Sequence, residues 1–237
     1  MDIDNQVALI TGSSTGIGLA TAKALACEGC RVVLSARSVE RLHEVAADIK
    51  DRGGEAIVLP FDLQDESSIT ELIDTVEVEF GQLNILVNNA GIGEWQFDAI
   101  DNSTIRTVNE VNLLGLQQLT FEALPLIRES GAGHIVNISS MAGRGSSGSD
   151  PIYSSAKAGV NRFSESLTRR FREDPIRVTL IEPGTVDTPI QPEEERGADW
   201  MLQAEDIADA VLHAVTRPQH MSVHNISIIP SRSSDDE

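Results

Sequence analysis

Short apolar runs alternate with amphipathic stretches along almost the whole chain. An apolar run at 7–10 predicts the first strand, and short segments rich in apolar residues predict further strands at 32–34, 56–59, 83–87, 134–138, 177–181 and 223–229. Between them, apolar residues recur at steps of three or four. This spacing predicts a helix that ends near residue 28 and further helices at 39–52, 67–80, 103–129, 151–172 and 205–216. Pro125 is a candidate kink in the longest of these helices.

Repeated strand–helix units joined by short loops are typical of a parallel sheet with helices on both faces. The chain has 237 residues, enough for one such domain and short for two. We therefore expect an α/β fold: a single Rossmann-type, doubly wound parallel sheet of about seven strands, spanning residues 1–230. The polar tail, 231–237, is expected to be disordered.

A glycine-rich segment, residues 11–18, separates the first predicted strand from the first helix and reads Thr-Gly-Ser-Ser-Thr-Gly-Ile-Gly. Glycines let the backbone turn tightly and approach a pyrophosphate, which the N-terminus of the following helix then receives. A glycine triplet in this position favours a dinucleotide site. The candidate cofactor-binding residues here are Gly12, Ser14, Gly16, Ile17 and Gly18.

The end of the second predicted strand indicates which dinucleotide is bound. An acidic residue there accepts hydrogen bonds from a free ribose 2′-hydroxyl and repels a 2′-phosphate. This chain has Leu-Ser-Ala-Arg at 34–37, so a guanidinium suited to phosphate stands in that place. Arg37 therefore favours NADP(H) over NAD(H).

The segment around Tyr153 carries groups that can move a proton onto or off an oxygen. Asp150 and Pro151 are typical of a helix start, as a capping residue and a first helical residue. On such a helix Tyr153 and Lys157 lie four positions apart and share a face. Ser140 lies thirteen residues before Tyr153. A phenol, an ammonium and a hydroxyl in this arrangement predict a proton-transfer site.

These features occur in one order along the chain, and together the sequence resembles the short-chain dehydrogenase/reductase family. The motifs that carry the resemblance are Thr11-Gly12-x-x-x-Gly16-Ile17-Gly18, Phe61-Asp62-Leu63, Asn88-Asn89-Ala90-Gly91, Asn112, Ile138-Ser139-Ser140, Tyr153-x-x-x-Lys157 and Pro183-Gly184-x-x-x-Thr188. The resemblance covers nearly the whole length. It implies an enzyme that interconverts a carbonyl compound and its alcohol with a nicotinamide cofactor.

The resemblance also implies roles for single residues. The expected cofactor contacts are Asp62 and Leu63 at the adenine, Asn89 and Gly91 along the site, Pro183, Gly184, Val186 and Thr188 near the nicotinamide carboxamide, and Tyr153 and Lys157. Asn112 is expected to hold a water that connects Lys157 to solvent. Many NADP-dependent members carry a basic residue where this chain has Thr15, so 2′-phosphate binding is expected to depend on Arg37 alone.

The expected catalytic residues are Asn112, Ser140, Tyr153 and Lys157. Reduction of a ketone requires a proton at the oxygen as well as a hydride at the carbon. Tyr153 is the expected proton donor, and Ser140 is expected to hold the carbonyl oxygen beside it. Because a free phenol has a pKa near 10, we expect the Lys157 ammonium to lower the pKa of Tyr153.

Charge and cysteine content narrow the range of partners. The net charge of −19 argues against binding to nucleic acid or to an anionic membrane. Many acids with few lysines are consistent with either a high-salt habitat or a GC-rich genome. Cys27 and Cys30 have no second pair to complete a zinc site, so packing residues or a redox pair remain the alternatives, and no metal is expected. The acidic start and the lack of an apolar run of roughly 18 residues predict a cytoplasmic protein.

Three segments, 92–97, 141–150 and 189–202, are expected to surround the substrate, with Trp95, Met141, Trp200 and Met201 as apolar walls or packing residues. Their modest size predicts a small or medium ketone, aldehyde or 3-oxo acid derivative, with Arg144 as a candidate contact for an anionic group. The alternatives are a 3-oxoacyl-carrier-protein or CoA reductase and a non-catalytic NADP(H)-sensing protein.

The family resemblance implies a homotetramer with residues 103–129 and 151–172 in the interface.

Overall fold

A parallel β-sheet forms the centre of the protein, as a computed structural model describes it for residues 2–93, 100–145 and 150–232. In these parts of the chain the strands are Val7–Thr11 (β1), Arg31–Ser35 (β2), Glu55–Val58 (β3), Ile85–Asn88 (β4), Gly133–Ile138 (β5), Ile176–Pro183 (β6) and Asn225–Ile228 (β7). All pair in parallel, in the order β3-β2-β1-β4-β5-β6-β7. The predicted doubly wound α/β fold is confirmed.

Helices cover both faces of this sheet. Their bounds are Gly16–Cys27 (α1), Val39–Asp51 (α2), Glu66–Phe80 (α3), Asn102–Asn109 (α4), Gly115–Glu129 (α5), Pro151–Arg170 (α6) and Ala204–Val215 (α7). One prediction was wrong in detail. The stretch predicted as a helix at 103–129 is divided by a π-helical turn at Glu110–Leu114, whereas α5 continues through Pro125. Such turns occur frequently at functional sites.

The four central strands, β1, β4, β5 and β6, are buried along their whole length, whereas the edge strands β3 and β7 are partly exposed. Along β1, Ala8 and Ile10 point into a core formed with α1, α2 and α7, and Val7 and Leu9 point into a second core formed with α3, α5 and α6. This alternation places β1 at the middle of the molecule.

The order in which strands are added to the sheet reverses between β1 and β4. Strands β1, β2 and β3 extend to one side of the sheet, and β4 returns to pair with β1 on the other side. In open α/β sheets, the crevice at the carboxyl ends of the strands beside such a reversal binds ligands.

The two cysteines belong to the packing around the start of β2 and form no disulfide. Cys30 is buried, its Sγ donates to the carbonyl of Ile3 at 3.2 Å, and burial raises its pKa to about 12. Cys27 is exposed at the end of α1. Because a redox pair needs a reactive thiolate, these features favour the packing interpretation. Among the described helices, none is both long enough and apolar enough to cross a membrane.

Candidate active site

A cavity of about 520 Å³ opens at the predicted crevice, and most of the residues predicted for the cofactor and catalytic site line it. Those that do are Gly12, Ser14, Gly16, Ile17, Arg37, Asp62, Leu63, Asn89, Gly91, Ser140, Tyr153, Lys157, Pro183, Val186 and Thr188. Gly18, Asn112 and Gly184 lie behind the wall, where they pack or hold lining residues. The structure therefore brings together residues that are up to 176 positions apart, from Gly12 to Thr188.

The glycine-rich turn after β1 is shaped as a cradle that side chains would fill. Gly12 and Gly16 have φ angles of +66° and +54°, in the left-handed region that favours glycine. A Cβ on Gly12 would lie 2.9 Å from the Cα of Ala90, and one on Gly18 would overlap the carbonyl oxygen of Gly12. Thr15 precedes α1 without a side-chain capping bond. The first-turn N–H groups of α1 are therefore available to a phosphate, so the residues present fit a dinucleotide.

Asn89 and Thr11 hold this turn against β4. The side-chain Nδ2 of Asn89 donates to the carbonyl oxygens of Thr11, at 2.9 Å, and of Gly12, at 3.4 Å. In return, Thr11 Oγ1 accepts from the backbone N–H groups of Asn89 and Ala90, both at 3.0 Å. Asn89 thus combines a structural role with a place in the cavity wall. Sequence reasoning assigned no role to Thr11, although the residue directly precedes the first glycine.

At the far end of the cavity, Arg37 is accompanied by a second guanidinium. Arg41 lies in the first turn of α2, one turn beyond Arg37, and both side chains line the cavity beside Ser38. Both are exposed, and neither belongs to an ion pair among the described residues. The expectation that 2′-phosphate binding depends on Arg37 alone stays a prediction, but Arg41 places a second guanidinium beside Arg37 in the cavity wall. Arg41 lies four residues after Arg37, and with a helix starting at Val39 this spacing could have predicted that both residues line the same site.

The catalytic candidates meet on the opposite wall, where the predicted helix start is confirmed. Asp150 caps α6 by accepting from the backbone N–H of Tyr153 at 2.8 Å, and Pro151 is the first helical residue. Ser140, just after β5, lies close enough to Tyr153 for its hydroxyl to lower the pKa of the phenol. Lys157 lies one turn further along α6, with Nζ 5.6 Å from the centre of the Tyr153 ring.

The pKa values of this pair move in opposite directions. Burial raises the pKa of Tyr153 to about 12, the hydrogen bond with Ser140 opposes this, and the nearby Asp150 carboxylate adds to it. Burial lowers the pKa of Lys157 to about 8. The expected lowering of the Tyr153 pKa by Lys157 is thus not found. Burial dominates, and Lys157 Nζ donates instead to the carbonyl of Ile138 at 3.0 Å.

Asn112 lies in the π-helical turn and is fully buried. Its Oδ1 accepts from the backbone N–H of Ile92 at 2.9 Å, and its Nδ2 donates to the carbonyl of Ile92 at 2.8 Å. A Cβ on Gly91 would lie 2.8 Å from Asn112 Oδ1 and 3.6 Å from Lys157 Nζ. Asn112 therefore fixes the segment that passes over Lys157, and its predicted role in holding a water stays a prediction.

The predicted apolar walls differ from those observed. Trp95, most of the segment 92–97 and residues 146–149 lie outside the described residues. Met141, Trp200 and Met201 do not line the cavity, and Met201 is buried. Their place in the described wall is taken by Ile92 and Ile190, with Gln191 beside them. All three lie in the segments 92–97 and 189–202 that were expected to surround the substrate, although the sequence did not single them out.

Two further predictions concern charged groups. Arg144, a candidate contact for an anionic substrate, instead forms an ion pair with Glu182, with Nη2 2.7 Å from Oε2. Within the described ranges, no cluster of three or more His, Cys, Asp or Glu side chains forms a metal site.

The comparisons with known proteins agree with this geometry. The short chain dehydrogenase family profile matches residues 6–199. An uncharacterised oxidoreductase of Staphylococcus saprophyticus is 33% identical over 234 residues, which cover 97% of this chain and 99% of the relative. Another, from Staphylococcus aureus, is 35% identical over 234 residues, covering 96% and 98%. The chain belongs to the short-chain dehydrogenase/reductase family, as its motifs predicted.

Solved structures show the same fold. A metagenomic short-chain oxidoreductase in complex with NADP superposes with a TM-score of 0.86 at 31% identity, over 98% of this chain and 100% of that one. The L-sorbose reductase of Gluconobacter frateurii, complexed with NADPH and L-sorbose, superposes with a TM-score of 0.88 at 28% identity, over 97% and 98%. The protein is thus an oxidoreductase of this family, with a nicotinamide cofactor as the group its cavity fits.

Proposed function

We propose that the protein is an NADP(H)-dependent oxidoreductase that interconverts a small or medium carbonyl compound and its alcohol, with Tyr153 as the general acid and base. One observation carries this proposal. Ser140, Tyr153 and Lys157 line the same cavity as the glycine cradle at α1. A proton-transfer group and a dinucleotide cradle in one cavity are the two parts that hydride chemistry at a carbonyl requires.

The nicotinamide supplies or accepts the hydride when it is bound. The glycine turn and the N-terminus of α1 would hold its pyrophosphate, Asp62 and Leu63 its adenine, and Val186 and Thr188 the nicotinamide end. Pro183 belongs to the same wall, whereas Gly184 supports it from behind, with its N–H donating to Ile228 O at 2.7 Å.

The hydroxyls of Ser140 and Tyr153 hold the carbonyl oxygen between them. Both line the cavity, and Ser140 lies near enough to lower the pKa of the Tyr153 phenol. As negative charge develops on the oxygen, Ser140 stabilises it and Tyr153 delivers the proton from its phenol. Because its pKa is about 12, Tyr153 keeps this proton at neutral pH until a more basic alkoxide takes it.

A preference for NADP(H) follows from the charge at the adenine end. Arg37 and Arg41 provide two guanidinium groups there, and β2 ends in Ser35 without an acidic residue after it. Guanidinium groups bind phosphate strongly, so the pair matches a 2′-phosphate. Two of the similar structures also contain NADP or NADPH.

This preference has a direct test. We expect Arg37→Ala and Arg41→Ala each to weaken NADPH binding by roughly 10-fold, as a lost charge-assisted hydrogen bond would, and to leave NADH binding unchanged. We also expect Arg37→Asp to reverse the preference. Arg52→Ala is the matched control, because Arg52 is an exposed arginine beyond the other end of α2. Equal losses for NADPH and NADH in the Arg37 and Arg41 variants would contradict the assignment.

The charges of the described cavity favour an uncharged substrate. At the catalytic end, Lys157 is the charged residue of the described wall, and its Nζ donates to Ile138 O. Arg144 is held by Glu182. A free 3-oxo acid or a phosphorylated carrier arm would therefore find no available cation at the catalytic end of the described wall, since Arg37 and Arg41 lie at the adenine end. This argument supports a neutral ketone, aldehyde or ester over the 3-oxoacyl-carrier-protein or CoA alternative.

An NADPH oxidation assay with neutral ketones, aldehydes, 3-oxo esters and 3-oxoacyl thioesters tests the function. Turnover of neutral compounds, lost in Tyr153→Phe, is the expected result. Faster turnover of thioesters would favour the carrier alternative. Tight NADPH binding without turnover of any compound would favour the sensing protein instead.

We further propose that the protein assembles as a homotetramer through α5 and α6. Phe121 on α5 is 57% exposed and packs edge-on against Phe163 of α6, and Leu114, seven residues earlier, is also exposed. Apolar side chains exposed on neighbouring helices are typical of an interface. Light scattering on the wild type and on Phe121→Glu tests this. A monomeric wild type would refute it.

A further inference from the structure

A buried carboxylate, Glu182, lies outside the proton-transfer group but close behind it. It is in β6, directly before Pro183 of the cavity wall, and is 1% exposed. Four residues donate to it. They are Arg144 through Nε and Nη2, Asn161 through Nδ2, Asn225 through Nδ2 and Ser227 through Oγ. A buried charge with this many partners is expensive to assemble and is retained where it fixes one arrangement.

On one side, the carboxylate binds the segment that carries Ser140. Arg144 follows the short 3-10 turn Met141–Gly143, which begins directly after Ser140. Its Nε lies 3.2 Å from Glu182 Oε1 and its Nη2 lies 2.7 Å from Oε2. This two-point arrangement fixes the direction of the guanidinium as well as its distance. The segment after Ser140 is therefore anchored to β6.

On the other side, the carboxylate reaches the catalytic helix. Asn161, one turn after Lys157 in α6, donates from Nδ2 to Glu182 Oε1 at 2.9 Å. Its Oδ1 accepts from Ser139 Oγ at 2.5 Å, and Ser139 Oγ also lies 3.2 Å from the carbonyl oxygen of Lys157. Ser139, the neighbour of Ser140, is thus tied to α6 through a group that Glu182 orients.

The fit between this segment and α6 leaves little freedom. A Cβ on Gly143 would lie 2.7 Å from the backbone carbonyl carbon of Lys157 and 2.8 Å from its oxygen. The turn that follows Ser140 therefore rests directly on the backbone of the helix that carries Tyr153 and Lys157. A small shift of the turn changes the position of the Ser140 hydroxyl relative to the Tyr153 phenol.

We propose that Glu182 and Arg144 are positioning residues for proton delivery. The buried carboxylate accepts hydrogen bonds from Arg144 and Asn161 and so fixes the position of Ser140 relative to Tyr153. Asn225 and Ser227 donate to Glu182 Oε2 from β7, at 2.7 and 3.1 Å, and fix the carboxylate from a third direction. The proposal rests on the proposed function, since it assigns a role in that same site. If Arg144 instead bound the substrate, its guanidinium would have to leave Glu182, so the two roles can be distinguished.

The variants Arg144→Ala, Glu182→Gln and their combination test this, with Arg128→Ala as the control. Arg144 has a side chain that is 53% exposed, so its removal leaves the core intact. Arg128 is matched because it is 47% exposed and pairs with Asp174 at a surface remote from the cavity lining. Glu182→Gln keeps the shape and turns one acceptor into a donor that faces other donors.

The first readout needs no substrate. Hydrogen exchange of peptides that cover residues 139–145 is expected to quicken by roughly 10-fold or more in both single variants, and to stay unchanged in Arg128→Ala. NADPH affinity, measured by fluorescence, is expected to change less than about 3-fold in Arg144→Ala, since the cradle and the arginines at the adenine end are untouched.

The second readout is turnover of whichever carbonyl compound the wild type reduces. We expect kcat to fall roughly 10- to 100-fold in Arg144→Ala, with little change in the KM for NADPH, because a displacement near 1 Å is enough for such a loss. The double variant is expected to lose no more than Glu182→Gln, since both act through one link. Arg144→Lys is expected to recover part of kcat.

Three results would overturn the proposal. Unchanged hydrogen exchange at 139–145 in both single variants would show that the link does not hold the segment. A raised substrate KM at constant kcat in Arg144→Ala, with Glu182→Gln unaffected, would show a substrate contact instead. Additive losses in the double variant would show two independent roles. If the wild type reduces no carbonyl compound, the proposed function fails, and hydrogen exchange still decides whether Glu182 positions the segment.

Discussion

Replacing Lys157 by methionine is expected to stabilise the cofactor-free protein while abolishing turnover. The Lys157 side chain is 3% exposed, and burial lowers its pKa from 10.5 to about 8. Its described hydrogen bond is the one to Ile138 O at 3.0 Å, and none of the described ion pairs includes it. At neutral pH the fold therefore contains a buried ammonium without a described carboxylate partner. Methionine has a similar length and carries no charge.

The magnitude follows from the pKa. Since each pKa unit corresponds to about 1.4 kcal/mol, the lowering from 10.5 to about 8 corresponds to about 3 kcal/mol of lost stability at neutral pH. Methionine removes this cost but also leaves the Ile138 carbonyl without its donor, which costs about 1 kcal/mol. The net gain is about 2 kcal/mol, or a rise of about 4–8 °C in the unfolding temperature of a chain of this size.

The gain is expected to depend on pH with a definite sign. Below pH 8, Lys157 is charged in both folded and unfolded chains, so the full cost of burial is present. As the pH rises from 8 to 10.5, the folded protein releases this proton before the unfolded chain does, and the wild type gains stability. The advantage of Lys157→Met over wild type is therefore largest near pH 7, shrinks as the pH rises above 8, and reverses to a deficit of about 1 kcal/mol near pH 10.5, where only the lost hydrogen bond to Ile138 remains.

Urea denaturation of the two proteins without cofactor, at several pH values between 7 and about 10, measures this difference. The raised pKa values of Cys30 and Tyr153 affect both proteins and largely cancel in the comparison. Lys50→Met is the control, since Lys50 is exposed and its removal is expected to leave the pH dependence unchanged. A Lys157→Met protein that is less stable at pH 7, or a difference that stays constant with pH, would refute the reasoning.

Three further predictions concern Tyr153, Gly91 and His134. Tyr153→Phe is expected to lower kcat roughly 10²- to 10⁴-fold while NADPH still binds, as steady-state kinetics and fluorescence titration would show, and substantial residual turnover would assign the acid elsewhere. Gly91→Ala is expected to displace Asn112, since the new Cβ would lie 2.8 Å from its Oδ1, and so to lower turnover more than Gly145→Ala, whose Cβ would have nothing within 4 Å. His134 is buried, and burial together with the nearby Arg177 lowers its pKa from 6.5 to about 3. Since the unfolded chain binds the proton first, stability is expected to fall by several kcal/mol as the pH drops from 6.5 towards 3, and His134→Leu is expected to flatten this fall in urea denaturation. Equal slopes in the two proteins would contradict the last prediction.

Much of the fold could be predicted because its central strands are buried on both sides. β1 and β5 are fully buried along their length, so β1 appears in the sequence as an apolar run at 7–10, and β5 is mostly apolar around His134 and Asn137. The helix start at Asp150 and Pro151 was equally visible, because capping chemistry is local. The π-helical turn at Glu110–Leu114 left no such signal. It depends on Asn112 bonding to Ile92, which is twenty residues away in the sequence.

The site shows the same division between local and distant causes. The four-residue spacing of Tyr153 and Lys157 is a property of one helix, and it predicted their meeting. The link between Arg144 and Glu182 joins residues that are 38 positions apart, and only the pairing of β5 with β6 brings their segments together. The pKa of Tyr153 could not be predicted either. The direction of the pKa shift is set by burial, and burial depends on every element that surrounds the cavity.

The opposite pKa shifts of Tyr153 and Lys157 give proton flow a direction. The free groups differ little, with pKa values of 10.0 and 10.5, but in the folded protein they lie near 12 and near 8. In the proposed reaction, the Tyr153 phenol would give its proton to a more basic alkoxide, and the Lys157 ammonium would return one to the Tyr153 phenolate. The order of the pKa values suits reduction near neutral pH, where Tyr153 starts protonated. The burial that destabilises the ammonium is thus the same feature that makes it a proton donor.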